Sequence, residues 1–72
     1  MTLTTVRESL DISQVELDRR AEIPRGSVGD IESGRNQNPS ISVCLSIAAA
    51  LRRAGAKGVT VEKLFANFER VA

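Results

Sequence analysis

Apolar residues recur every three or four positions along most of this chain, in five short runs separated by glycine, proline and polar residues. That is the periodicity of amphipathic helices rather than the alternation of strands. Leu3, Val6 and Leu10 predict a first helix over residues 3–10, ending near Asp11. A second starts at Ser13, where Ser-x-x-Glu to Glu16 lets hydroxyl and carboxylate satisfy each other's free backbone donors, with Val15, Leu17 and Ala21 on its buried side. Ile23 and Pro24 interrupt that pattern, because proline disfavours helical geometry in the residue before it, and a turn is expected around residues 22–24. Pro24 can open a third helix, since a first-turn residue needs no amide hydrogen; Val28 and Ile31 face inward and Gly34 ends it. Residues 35–38 are polar and turn-like, and Pro39 and Ser40 open a fourth helix with Ile41, Cys44, Leu45, Ala48 and Leu51 as its stripe. After a connection bracketed by Gly55 and Gly58, Thr60 caps a last helix over residues 60–71, with Lys63 in place of the capping-box acid and Val61, Leu64, Phe65, Phe68 and Val71 on one side. The reading is all-α, one compact five-helix domain over residues 1–72, without internal repeat or low-complexity tract.

Composition narrows the function more than the fold. A chain of 72 residues, 42% apolar, builds a small core that needs well-packed helices or a partner subunit for comfortable stability. One cysteine excludes an internal disulfide, and Cys44 falls on the apolar stripe of the fourth helix, as a small hydrophobe does. Without a histidine the usual zinc arrangements lack ligands, and no serine lies in a nucleophile setting, so no metal, no cofactor and no enzymatic activity are expected. Neither an 18-residue apolar run nor a charged-then-apolar start occurs, which points to a soluble cytoplasmic protein with no membrane partner.

Residues 13–34, SQVELDRRAEIPRGSVGDIESG, place two helices and a short break within 22 positions. This is the spacing of a helix-turn-helix, whose second helix, here residues 24–33, is built to lie in the DNA major groove. Around it stand Arg7, the Ser13-Gln14 pair, Leu17, Ala21, Ile23, Val28, the Ile31-Glu32-x-Gly34 ending, Pro39-Ser40-Ile41 and Leu45-x-Ile47-Ala48. In this order the chain resembles the phage repressor and Cro family, or Xre family, over residues 3–65. The resemblance implies a lambda-repressor-like fold and sequence-specific binding of double-stranded DNA as a transcriptional repressor or Cro-like switch; because one short recognition helix covers few base pairs, a homodimer engaging two half-sites is expected.

It also implies roles for individual residues. Arg7 is expected to reach Glu32 as a structural ion pair between the first and third helices. Gln14, at the start of the second helix, is expected to bond a phosphate and support the residue at position 25, with Arg35 and Asn36 as further phosphate contacts. The outward face of the third helix offers Arg25, Gly26, Ser27, Gly29 and Asp30. Arginine grips guanine through two parallel bonds, serine is permissive and aspartate accepts from cytosine, which makes Arg25, Ser27 and Asp30 the candidate base contacts. Asp30 either reads a base, repels phosphate or pairs with Arg25 or Arg35, and the pairing is the expectation. Phe68 and Val71 extend the last apolar stripe beyond what a minimal core needs and are the candidate dimer contact.

Three departures from the family pattern favour a rival use of the same fold. Asp18 stands where the family commonly has alanine beneath the helix crossing, with Gly26 and Gly29 making room opposite it. Glu22 replaces a turn glycine that often takes a positive φ. The charge is also unevenly placed: the net value is +1, but residues 1–34 hold four arginines against seven acids and residues 35–72 hold six bases against two acids. An acidic motif draws less affinity from phosphate neutralisation. The alternative is therefore a degenerate helix-turn-helix serving as a protein-protein interaction module, its acidic face against a partner protein.

Overall fold

The computed structural model describes residues 2–65, folded into α1 (Leu3–Ser9), α2 (Gln14–Ala21), α3 (Ser27–Ser33), α4 (Ile41–Arg53) and α5 (Val61–Leu64). Four of these helices begin in the same way. The hydroxyls of Thr2, Ser13, Ser40 and Thr60 accept from the amides of Thr5, Glu16, Val43 and Lys63 at 3.0–3.2 Å. A hydroxyl in this position satisfies one of the donors a helix start leaves open. The reciprocal half of the capping box is missing at α2. The Glu16 carboxylate turns to Arg19 and Arg20 instead, because two guanidinium groups one turn along offer charge-assisted bonds that a lone amide does not match. These bonds, from Arg19 first and Arg20 next, hold the Glu16 carboxyl down at about 2.

The core lies where α2, α3, α4 and α5 meet. Leu17, Val28, Cys44, Ile47, Leu51 and Val59 are fully enclosed, joined by Leu3, Val6, Ile12, Ile31, Leu64 and Phe65. α2 packs on both α3 and α4, and α5 closes against α4. Each enclosed aliphatic side chain contributes roughly 1.5–3 kcal/mol.

Three residues expected on buried faces lie outside. Val15 is 49% exposed, Ile41 52% and Leu45 53%. At 100° per residue the covered face of α4 is centred on Cys44, Ile47, Ala48 and Leu51, which leaves Ile41 and Leu45 on its flank; Val15 likewise sits about 110° from the centre of the face formed by Leu17, Asp18 and Ala21. Helix α3 also starts later than Pro24. Gly26 has φ +95°, incompatible with a helix, so residues 24–26 belong to the turn, and Ser27 closes it by donating its amide to the Pro24 carbonyl at 3.1 Å. Phe68 and Val71, the candidate dimer contact, lie outside the described residues.

Candidate nucleic-acid interface

The α2–α3 turn is fixed by two left-handed residues and one carboxylate. Glu22 caps α2 at φ 57°, ψ 44°, its amide donating to the Arg19 and Asp18 carbonyls, so the positive φ expected of the family's glycine is taken here by a glutamate. Gly26, next to α3, has no side chain to cap it. Asp18 does so from α2: Oδ2 accepts from the Gly26 amide and Oδ1 from the Val28 amide, each at 2.8 Å, and the residue is 2% exposed. The two glycines therefore do not make room for Asp18. A Cβ at Gly26 would meet nothing within 4 Å, and one at Gly29 would meet Gln14 Oε1 at 3.2 Å.

Arg7 anchors the other side of α3. Its Nε donates to Glu32 Oε2 at 2.8 Å and Nη2 to Oε1 at 3.0 Å, while Nη1 donates to the Ile12 carbonyl at 2.8 Å. Gln14 Nε2 adds a bond to Glu32 Oε1 at 2.9 Å. The network ties α1, the loop before α2, α2 and α3 together. The hydrogen bonds to Glu32 raise Arg7 above its ordinary value against the opposing effect of burial. Burial is the largest influence on Glu32 and works to raise it, yet the bonds from Arg7 and Gln14 with the Arg7 charge outweigh it and hold the carboxyl below its ordinary value.

Gln14 thus stands against Glu32, to which its Nε2 donates, with its Oε1 on the Gly29 side, and among the described residues it makes no bond to Arg25. Its Nε2 retains a second hydrogen, and Gln14 is exposed. Asp30 pairs with Arg35, Oδ1 to Nη1 at 3.2 Å, both at the surface, and the Asp30 carbonyl accepts the Asn36 amide at 2.9 Å. The Ser27 hydroxyl donates to the Pro24 carbonyl at 2.6 Å, so its lone pairs are what face outward chemistry. Arg25 is exposed, and among the described residues of the amino-terminal half it is the arginine that no carboxylate holds; Arg7, Arg19 and Arg20 are all paired.

The sequence pattern did not reveal the capping role of Asp18. A signal was present: an acid on the buried face of one helix, eight residues before a glycine that opens the next without a capping side chain of its own. No metal-holding group of three or more acidic, histidine or cysteine side chains occurs among the described residues, and no helix among them is long and apolar enough to cross a membrane.

Comparison with known proteins returns one family. The profile described as Helix-turn-helix matches residues 3–57, well over half of the chain and inclusive of α1 to α4. No curated protein and no solved structure matches the chain.

Proposed function

The chain belongs to the Helix-turn-helix family of DNA-binding regulators, and on that premise we propose that it reads duplex DNA sequence-specifically, as a small repressor or Cro-like switch with residues 24–33 in the major groove. The observation that carries this reading is Arg25. It is exposed, free of carboxylates and one residue before an amide pinned by a buried aspartate. A guanidinium so placed can meet guanine O6 and N7 with two parallel donors. Ser27 offers acceptor lone pairs beside it, and Asp30 can turn from Arg35 to a cytosine amino group once phosphate competes for that arginine. Gln14 Nε2, Arg35 and Asn36 supply the phosphate contacts, which set position and salt dependence but no sequence.

One α3 covers few base pairs, so the reading includes a homodimer that engages two half-sites about 34 Å apart, with Phe68 and Val71 as the subunit contact. The test separates base reading from phosphate contact. Arg25→Ala is expected to relax discrimination at one base pair per half-site and cost about 1–3 kcal/mol in specific binding. Arg35→Ala is expected to weaken binding to all sequences and lower the salt slope by about one unit. Fluorescence titrations at two salt concentrations measure both, and equal losses with unchanged base preference would contradict the division.

A further inference from the structure

We propose that Asp18 is a specificity-determining positioning residue: its buried carboxylate, reaching across from α2, fixes the backbone from which Arg25 and Ser27 approach the bases. The proposal rests on the reading of α3 as the base-reading helix. An α3 that began with serine or aspartate would carry its own cap and could move as a unit with it. This one has Gly26 at its cap position, which carries no capping side chain and whose left-handed conformation is one that glycine, free to take many, does not hold by its own sterics. What holds the turn is therefore outside α3. Asp18 Oδ2 on the Gly26 amide and Oδ1 on the Val28 amide bracket Ser27 from both sides, and Gly26 follows Arg25 directly. The two bonds are short and charge-assisted, the one from Val28 buried and the one from Gly26 part-buried, and the carboxylate also faces the positive end of the α3 dipole. Because Asp18 is anchored in the middle of α2, its two bonds tie the starting point of the Arg25 side chain to that helix.

A residue that acts in this way changes which sequence is bound rather than how strongly DNA in general is bound. Asp18→Asn is nearly isosteric but replaces one acceptor oxygen with an NH2 that confronts an amide donor. Asp18→Ala removes both bonds. Both variants are compared with the wild type by circular dichroism, by titration against the duplex the wild type selects and the same duplex altered at the base pair read by Arg25, and by amide hydrogen exchange. The expected result is a folded protein with faster exchange at Gly26 and Val28, unchanged protection at Leu17 and Ile47, and about a tenfold loss of discrimination with less than a twofold change in affinity for mixed-sequence DNA. Retained discrimination, or equal losses on all duplexes, would overturn the proposal. If Asp18→Asn does not fold, Asp18→Ala carries the same comparison. Should the wild type prefer no duplex, the proposed function fails and exchange alone decides the positioning role: unchanged exchange at Gly26 and Val28 overturns it, and selective opening there upholds it.

Discussion

Arg7 donates three hydrogen bonds from a largely covered guanidinium, two of them to a carboxylate that is itself shielded from water. Removing one partner from such a pair leaves a charge without compensation, at a cost of about 3–5 kcal/mol, a large part of what a small domain has. Charge reversal at either Arg7 or Glu32 is therefore expected to lower thermal stability sharply. Arg7→Glu combined with Glu32→Arg should recover part of the loss. Recovery stays incomplete because the reversed pair offers no donor to the Ile12 carbonyl. The same pair sets an acid limit. Glu32 is held below its ordinary 4.5, so the unfolded chain takes up the proton first. Its contribution is complete above that value and is lost as the pH falls through the lower folded one. Melts of the wild type and Glu32→Gln between neutral and acid pH should converge at the acid end, and parallel curves would show that the pair does not matter. Arg7 and Glu32 were legible only through family resemblance, since spacing does not say that two charges 25 positions apart meet. Asp18 was legible as a departure, but its hydrogen bonds depend on a helix crossing that no local pattern encodes.

Helix existence and order were readable from periodicity and caps, because serine and threonine hydroxyls at the starts and glycine after Ser33 act through neighbours a few residues away. Which face is covered is a longer-range matter. Ile41 and Leu45 carry the right spacing for a core stripe, yet the side of α4 that the fold covers runs along Cys44, Ile47, Ala48 and Leu51. The energetic contrast is testable within one helix. Ile47→Ala should cost about 2–5 kcal/mol by transfer and cavity formation, and Leu45→Ser should stay within about 0.5 kcal/mol. Chemical denaturation of the two variants checks this, and comparable losses would place Leu45 in the core after all. The late start of α3 has a similar origin. Pro24 is a permissible first helical residue, but Gly26 two positions on adopts a left-handed φ because Asp18 draws its amide inward.

At the scale of the molecule the amino-terminal half stays acidic, with seven acids against four arginines. Five of those seven acids are engaged within the fold: Glu8 with Arg7, Glu16 with Arg19 and Arg20, Asp18 with two amides, Asp30 with Arg35 and Glu32 with Arg7 and Gln14. Pairing occupies Arg7, Arg19 and Arg20 along with these acids, which leaves Arg25 as the arginine of this half without a carboxylate and keeps the affinity from phosphate neutralisation modest. The described residues extend 31 × 25 × 18 Å, about the separation of two half-sites, so one copy presents one α3 to one half-site. For the homodimer, Phe68→Glu should give a folded monomer in sedimentation with a steep fall in DNA affinity, and a wild type that remains monomeric at high concentration would remove the dimer from the account. The central claim, that α3 reads bases through Arg25, is tested most directly by selecting bound sequences from a random duplex library with the wild type and with Arg25→Ala. The wild type should enrich one sequence, and its preference at a single base pair per half-site should disappear in Arg25→Ala. No enrichment by the wild type, or the same sequence enriched by both proteins, would contradict it.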